Sequence, residues 1–502
     1  MKRMFYKIAI SFTVLIMLGA CKKDYLNTYP TNAVASSSAF TTTTNALMAL
    51  NGIHRSLYIQ YSNQDEGGQG TIGIDIDCLG EDLVFTGAGS GWFKTTSQWV
   101  NHRNVNSALL YYVYRFYYKV IANANMIINN IDAATGSDDK KNIKGQALAY
   151  RAWAHFNLVQ LFGQRYNAAS KPNTSMGVPI MLTNITTGIG RSSVEDVYTQ
   201  INADLDAAIG LLGTVAKRPN KSHISVNVAQ GFKARVALTQ QDWTNASKYA
   251  ILARSGYVNE YPTGYTLMTN ADYQKGFSDY TNVEWMWGSH VQADQTQYFY
   301  SFFAYMSENY STTDIRANCK AINSLLYNTI SATDVRKKLW DPTGTAFSVP
   351  LSTFVKQKYM NIKFLVPDIN SSCGDYPMMR AGEMYLIEAE AKAQLGDNAG
   401  AATALYTMAV NRDPSYVKST NTGAALISEI LTQRRVELWG EGFRFFDLKR
   451  LNVPLNRNGA NHNSSYCVIF DVPAGDVKWQ FLLPKAELDA NPSIANQQNP
   501  LQ

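Results

Sequence analysis

Apolar residues recur at helical spacing along most of the chain. The stretches with this spacing are residues 42–58, 109–131, 142–163 and 192–212. Ser192 or Ser193, followed three residues later by Glu195 or Asp196, is typical of a helix start, and Gly163 is typical of a helix end. The pattern therefore predicts a mostly α-helical fold.

Two later stretches predict stacked helical hairpins. In residues 240–256 and 394–414, small residues spaced mostly four and then three apart allow close helix contact, as in the second helix of a tetratricopeptide repeat. Each stretch follows a predicted first helix, at 228–240 and 383–395. The expected fold is therefore mostly α, with tetratricopeptide-like helical hairpins and little β-structure.

Long segments between the helices have a different composition. Residues 62–104 are rich in glycine, residues 256–313 are rich in Tyr, Trp, Asn, Asp and Gln, and residues 333–376 look irregular or locally β. Loops of this length in an ordered domain usually carry function. We therefore expect ligand-binding loops around 62–104 and 256–313.

The amino terminus has the features of an export signal. Three basic residues precede a largely apolar run from Ile8 to Ala20, which is too short to span a bilayer, and small residues precede Cys21. The sequence Leu-Gly-Ala-Cys resembles the bacterial lipoprotein box, which implies cleavage before Cys21 and a lipid on that residue. Several acyl chains on one residue anchor a protein stably.

The predicted domain organisation follows from this start. We expect a signal peptide at 1–20, a lipid-anchored tether at 21–44 and a single α-helical domain at 45–502. The composition, 46% hydrophobic and 17% charged, permits a large core. Three of the six net positive charges belong to the signal, and the mature chain has no long basic run, which argues against nucleic-acid binding.

The sequence contains no motif that predicts a cofactor or a metal site. The six histidines form no zinc-binding pair, and no phosphate-binding glycine loop or nucleophile elbow is present. The acidic residues of 75–82 lack the spacing of an EF-hand. The four remaining cysteines allow three full pairings, although free buried thiols are favoured; these are Cys78, Cys319, Cys373 and Cys467.

The segment 426–452 is the most distinctive in the chain. A catalytic interpretation would take Glu437 and Glu441 as a paired acid and base. Each of them, however, has an arginine within reach, which would keep it ionised. The sequence therefore predicts structural ion pairs here rather than catalysis.

Several segments together resemble the SusD/RagB family of surface lipoproteins from Bacteroidota nutrient-uptake systems. They are "LGACKKDYL", "YRAWAHFNLVQLFG" with "GVPI" after it, "RSSVEDVYTQINADLDAAI", "RAGEMYLIEAEAKAQLGD", "RRVELWGEGFRFFDLKR" and "FLLPKAELDANP". Only "FLLP" departs from the family, which usually has a Pro-Ile-Pro-like turn.

The resemblance implies a non-catalytic protein that binds an oligosaccharide or polysaccharide at the cell surface. It also implies delivery of the ligand to a SusC-like TonB-dependent transporter and attachment to the outer membrane through lipid on Cys21. Two alternatives stay open: a helical-repeat scaffold that binds no small ligand, and a carbohydrate hydrolase, whose carboxylate pair a sequence cannot exclude.

Sugar chemistry selects the expected ligand-binding residues. A pyranose stacks its C–H face on a flat aromatic ring, and its hydroxyls bind amides, carboxylates or arginine. The two aromatic, amide-rich loops supply the expected contacts, which are Trp92, Trp99, Asn101, Trp285, Trp287, Tyr298 and Tyr300. Because Trp285 and Trp287 alternate on what resembles a strand, at least one of them is expected to face the core.

Overall fold

Helices are the predominant secondary structure of the computed structural model. The structure describes residues 40–135, 139–185, 187–215, 218–257, 262–295, 299–310, 312, 315, 317–346 and 357–501. Its α-helices are α1 Thr43–Ser56, α2 Gln69–Cys78, α3 Lys94–Ser97, α4 Ala108–Asn130, α5 Asp139–Phe162, α6 Val194–Leu212, α7 Val226–Thr239, α8 Trp243–Arg254, α9 Phe303–Met306, α10 Ser324–Asn328, α11 Ala381–Gln394, α12 Asn398–Arg412, α13 Gly423–Glu437, α14 Arg444–Leu451 and α15 Lys485–Ala490.

The strands are short and entirely antiparallel. They are β1 Leu83–Phe85, β2 Trp285–Ser289, β3 Lys320–Ile322, β4 Trp340–Asp341, β5 Met360–Asn361, β6 Tyr376–Arg380, β7 Leu455–Asn456 and β8 Asp471–Val472. One sheet has the order β1-β3-β5-β4, and β2-β6 and β7-β8 form separate pairs. In the β2-β6 pair, Trp285 lies opposite Arg380 and Ser289 lies opposite Tyr376.

Consecutive helices pack against one another in pairs. The pairs α5–α6, α7–α8 and α11–α12 are in contact, and α11 also packs on α8, so that the hairpins stack. Ala246, Ala250 and Ala253 are fully buried on the inner side of α8, where a small side chain permits close approach. This confirms the predicted fold class, and Ser193 caps α6 by accepting a hydrogen bond from the backbone N–H of Asp196.

The segment 62–104 differs from the expectation of a long loop. Residues 69–78 form α2, which is buried at nine of its ten positions, Gly70 to Cys78. Because α2 is buried all round its axis and its isoleucines alternate with Gly73 and Asp75, the sequence has no polar stripe of helical spacing that could reveal the helix. Within this segment, the predicted irregular structure is found on either side of α2.

One hydrophobic core extends from Phe40 to Ile494. Between β2, β6 and α13 this core contains a buried network of charged side chains. Its four cations and four anions are Arg336, Lys363, Arg380 and Arg412, and Asp334, Glu284, Glu437 and Glu441. The network ties the β2-β6 pair, which borders the site described below, to the carboxyl-terminal helices.

Candidate ligand-binding cleft

The tryptophans of β2 are part of the core. Trp285 is 1% exposed and Trp287 is fully buried. The Trp287 ring packs edge-on against Trp153 and Phe232, and its Nε1 donates a hydrogen bond to the carbonyl of Ser222 at 3.0 Å. A ring enclosed in this way offers no face to a ligand, so the expectation that these two residues form a platform was wrong.

Trp99 is also buried, with 4% of its surface exposed. Its ring packs edge-on against Trp479, and its Nε1 donates to the carbonyl of Leu79 at 3.1 Å. Its φ of 60° lies in the left-handed region, which costs a bulky residue on the order of 1–3 kcal/mol and persists only where packing enforces it. Trp99 therefore holds its loop in place and is not part of an exposed platform, which corrects the expectation from sequence.

Asn101 is engaged in the same loop. Its amide donates to Thr96 Oγ1 at 3.1 Å, and that hydroxyl donates to Asp75 Oδ1 at 2.8 Å. Trp92 is half-buried against the core. Tyr298 and Cys21 lie outside the described residues. Of the expected contacts, Tyr300 lines the cleft described next, and Trp285 borders a separate hollow beside residues 268–283.

The cleft lies between the end of α1, the loop before α7 and the end of β2. Its first hollow has a volume of about 340 Å³. The lining residues are Asn51, His54, Arg55, Leu57, Tyr58, Asn220, Ser222, His223, Ser289, His290 and Gln292. This size lies in the range of small-molecule sites, and the lining combines aromatic rings with amides, hydroxyls and a guanidinium.

A second, much smaller hollow of about 20 Å³ adjoins the first. It shares Leu57, Tyr58 and Ser289 with the first hollow and extends to Tyr300. A Cβ on Gly67 would lie 2.0 Å from the Tyr300 carbonyl oxygen, so only glycine permits this close approach. We call the two hollows together the Tyr58 cleft, because Tyr58 lies where they meet.

Asp375 positions one rim of the Tyr58 cleft. Its Oδ1 accepts from the backbone N–H of Val291 at 2.8 Å and lies 3.2 Å from His290 Nδ1, while its Oδ2 accepts from the Tyr280 N–H at 3.0 Å. The rings of Tyr280 and His290 stack at 4.0 Å with an angle of 27°. The rim therefore presents an imidazole whose orientation is set by both an aromatic ring and a carboxylate.

The floor of the cleft is an uncharged histidine pair. His54 Nε2 lies 3.2 Å from His223 Nδ1, and His54 Nδ1 lies 2.5 Å from the Tyr150 hydroxyl. Burial lowers the pKa of His223 to about 4 and lowers that of His54 well below its usual value, where His223 adds to the effect. Both ring nitrogens of His54 are used in these contacts, so the uncharged group that the pair offers to a ligand hydroxyl is Nε2 of His223.

The cleft suits a polyhydroxylated ligand. Tyr58 provides an aromatic face, and Asn51, Asn220 and Gln292 provide amides around it. Sequence reasoning missed Tyr58, His54 and His223 for two reasons. These residues lie on or beside predicted helices, and they belong to segments that are far apart in the chain. From the loop 284–303, His290, Gln292 and Tyr300 line the cleft.

The carboxylates of the C-terminal segment are ion-paired, as predicted. Burial alone would raise the pKa of Glu437, but three surrounding guanidiniums outweigh it and hold the pKa well below its usual value. For Glu441, Arg380 and Lys363 likewise outweigh burial and lower the pKa. Neither residue is suited to act as a proton donor.

The acidic residues of 75–82 bind protein groups. Asp77 accepts hydrogen bonds from the backbone N–H groups of Gly442, Phe443 and Arg444 at 2.8–3.2 Å, at the start of α14. Asp82 pairs with Arg435 at 2.5 Å. Within the described ranges, no group of three or more His, Cys, Asp or Glu residues could hold a metal ion.

The four cysteines beyond Cys21 are thiols rather than disulfides. Cys78, Cys319 and Cys467 are buried and Cys373 is half-buried, in agreement with the prediction of free thiols. No helix of the described chain is long and apolar enough to cross a membrane.

Two family models match the sequence. The model described as "SusD family" matches residues 225–501, and a model described as "Starch-binding associating with outer membrane" matches residues 79–238. No curated protein matches the chain.

Solved structures share the fold over nearly the whole chain. A SusD-like carbohydrate binding protein from Bacteroides vulgatus is 25% identical, with a TM-score of 0.78 over 92% of this chain and 99% of that one. A SusD superfamily protein from Bacteroides thetaiotaomicron is 24% identical, with a TM-score of 0.75 over 91% and 100%. The surface glycan-binding protein A from Bacteroides fluxus is 18% identical, with a TM-score of 0.67 over 92% and 99%.

The helical-hairpin fold and the sequence matches lead to the same assignment. The "SusD family" model alone covers more than half of the chain and includes α11–α14, the segment with the most distinctive sequence. The chain belongs to the SusD/RagB family.

Proposed function

We propose that this protein binds a glycan in the Tyr58 cleft. The observation that carries the proposal is the lining of this cleft, where Tyr58 lies among amides, hydroxyls and neutral imidazoles. Sugars are recognised by stacking on aromatic rings and by many hydrogen bonds to uncharged groups. Family membership supports the same ligand class, since structural relatives are described as carbohydrate-binding and glycan-binding proteins.

The binding site extends along the cleft rather than over the buried tryptophans. Tyr300 borders the smaller hollow beyond Tyr58, whose volume of about 20 Å³ admits a water molecule or one ligand hydroxyl rather than a further sugar unit. Trp287 supports the site indirectly, because its hydrogen bond to Ser222 fixes a wall of the larger hollow. Trp92 stays a candidate contact from the neighbouring loop.

The cellular setting is part of the proposal. We infer that lipid on Cys21 anchors the protein at the outer membrane, facing outwards, and that the single domain 45–502 passes its glycan to a SusC-like TonB-dependent transporter. The lipoprotein box before Cys21 supports the anchor. The family description "Starch-binding associating with outer membrane" supports the location.

A non-catalytic role fits the carboxylates best. A glycosidase needs one carboxylic acid with a raised pKa beside the scissile bond. Glu437 and Glu441 are instead held ionised by buried cations. Burial raises the pKa of Asp375 at the cleft rim, but both of its oxygens are engaged, by two backbone N–H groups and His290.

Affinity electrophoresis tests the binding site. The chain without residues 1–21 is run through gels that contain different polysaccharides, beside the variants Tyr58→Ala and Gln292→Ala. We expect one class of polysaccharide to retard the protein, and Tyr58→Ala to weaken that binding at least about tenfold through loss of the stacking face. Tyr111→Ala is the matched control, because Tyr111 is 45% exposed on α4 and lies outside the cleft.

The outcomes separate the function from its location. Retardation that Tyr58→Ala and Gln292→Ala leave unchanged would retain a glycan-binding function but refute this cleft. A protein that no polysaccharide retards, and that also gives no signal with oligosaccharides in calorimetry, would favour the scaffold alternative.

A further inference from the structure

The larger hollow of the Tyr58 cleft has a positively charged lining. Arg55 and three histidines border it, and among the described residues its lining contains no Asp or Glu. Its volume is about 340 Å³, and Asn51, Asn220 and Gln292 add amide groups to the same lining. A hollow that combines an arginine with amides, and has no acidic side chain at its surface, favours a ligand with negative charge.

Arg55 has no charged partner within the described part of the protein. Its side chain is exposed at the end of α1 and forms no hydrogen bond or ion pair with the described residues. It differs in this respect from Arg380 and Arg412, whose donors are used in the buried network. The N–H groups of Arg55 are therefore available to a ligand in the hollow.

Arg55 and Tyr58 lie on the same side of the chain at the end of α1. They are three residues apart, and the Tyr58 backbone N–H donates to the Arg55 carbonyl at 3.3 Å. Burial raises the pKa of Tyr58, and among the neighbouring charges Arg55 has the largest effect, which lowers it. The guanidinium is therefore close to the phenol, so a sugar ring stacked on Tyr58 would have its substituents within reach of Arg55.

Two carboxylates near the cleft do not pair with this arginine. Asp375 is engaged by two backbone N–H groups and by His290. Asp294 is exposed, and its effect on the pKa of Tyr58 is smaller than that of Arg55. Arg55 therefore stays available as the cation of the cleft.

Asn220 supplies a second donor from a different segment, the loop before α7. Its Oδ1 accepts hydrogen bonds from the backbone N–H and the hydroxyl of Ser222, at 2.9 and 2.6 Å. These two bonds fix the orientation of the amide, and its Nδ2 donates to none of the described residues. A ligand hydroxyl or carboxylate oxygen can accept from this nitrogen.

We propose that the Tyr58 cleft selects acidic glycans and that Arg55 binds the carboxylate of a uronic-acid unit. This inference rests on the glycan-binding function proposed above and names its ligand class. The carboxyl carbon of a uronate is bonded directly to the pyranose ring, so a ring on Tyr58 brings its carboxylate to the neighbouring guanidinium. The two oxygens of a carboxylate match the planar N–H groups of arginine, and Asn220 donates to a further oxygen of the ligand.

Calorimetric titration of the full-length chain in detergent tests the proposal. The probes are trisaccharides of galacturonate, mannuronate and glucuronate, each beside its carboxyl-reduced form, which is a neutral trisaccharide of the same stereochemistry. We expect at least one uronate to bind at least about tenfold more tightly than its neutral partner, because a charge-assisted hydrogen bond is about twice as strong as a neutral one. Its affinity should fall as sodium chloride is added, since salt screens an exposed ion pair.

Two variants test the role assigned to Arg55. Arg55→Gln should lower the affinity for that uronate to the level of its neutral partner and remove most of the salt dependence. Lys338→Gln is the matched control, because it removes a positive charge from an exposed side chain outside the cleft. A κ-carrageenan tetrasaccharide, which has sulfate but no carboxylate, distinguishes the two anionic groups.

Four results would overturn the proposal. Neutral trisaccharides that bind as tightly as their uronates would retain the glycan-binding function but refute selection by charge. Binding of the carrageenan tetrasaccharide without any uronate would assign the cleft to sulfate. Uronate binding that Arg55→Gln lowers no more than Lys338→Gln would refute the role of Arg55. Failure of every probe to bind would refute the Tyr58 cleft as a glycan site together with this inference.

Discussion

Neutralising Glu437 should strongly destabilise the protein. Its carboxylate is fully buried and lies 3.2 Å from Arg336 Nη1, 3.0 Å from Arg380 Nη1 and 3.0 Å from Arg412 Nη2. In the buried network four cations are balanced by four anions, so Glu437→Gln keeps the shape of the side chain but leaves one positive charge uncompensated in the core. Removing one partner of a buried ion pair costs about 3–5 kcal/mol, and we expect a loss of this size.

Urea unfolding monitored by tryptophan fluorescence measures the effect. The matched control is Asp489→Asn, which makes the same carboxylate-to-amide change in an exposed pair, where Asp489 is 62% and Lys485 57% exposed. A pair of this kind contributes about 0–1 kcal/mol. The double variant Glu437→Gln with Arg412→Gln restores the charge balance, so its loss should be smaller than the sum of the two single losses by about 1–3 kcal/mol.

Two results would contradict this reasoning. A Glu437→Gln variant that loses no more stability than Asp489→Asn would mean that the buried cations do not depend on this carboxylate. Strictly additive losses in the double variant would mean that Glu437 and Arg412 stabilise the fold independently, which their contact at 3.0 Å argues against.

Three further predictions concern pH, the wall of the cleft and the thiols. Burial lowers the pKa of His155 to about 3 and of His223 to about 4, whereas histidine in the unfolded chain has a pKa of about 6.5, so the unfolded chain binds more protons at these two residues and each should lower stability from pH 6.5 to 4 by up to about 1.4 kcal/mol per pH unit. Burial raises the pKa of Asp77 to about 7, which opposes this loss over the same range. The urea midpoint of a His155→Gln variant should therefore fall less steeply with decreasing pH than that of the native chain, and an unchanged slope would contradict the reasoning. Trp287→Phe removes the hydrogen bond to Ser222 and should weaken glycan retardation in affinity gels while Tyr111→Phe does not; unchanged retardation would separate Trp287 from the cleft. Ellman's reagent should modify Cys373 first in the folded chain without residues 1–21, and rapid reaction of several thiols would contradict the burial of the other three.

Helical periodicity predicted the helices best where one face is apolar and the other polar. It found α4, α6 and the α8 alanines, whose burial depends on spacing that a sequence displays directly. It missed α2, because Ile72, Ile74 and Ile76 are buried together with the intervening residues. A helix buried on all sides has no periodic polarity to detect.

The candidate site was predicted less well, for a reason of chemistry. Aromatic residues serve both as ligand platforms and as core, and their identity does not distinguish the two uses. Trp99, Trp285 and Trp287 have the composition of a sugar platform in the sequence but are buried in the structure. Tyr58, which lies just beyond α1, was not predicted as a ligand contact because a single tyrosine after a helix forms no recognisable sequence pattern.

Local sequence therefore determined the helical hairpins, the capped helix ends and the family of the chain, which depend on neighbours a few residues apart. It also indicated that Glu437 and Glu441 are ionised, but the cations that hold them ionised come from distant segments; these are Arg336, Lys363, Arg380 and Arg412. Only the tertiary structure decided which rings face solvent and which segments meet in the Tyr58 cleft. That cleft joins Tyr58, His223 and His290, which are separated by 165 and 67 residues along the chain, and such contacts depend on how the whole core packs.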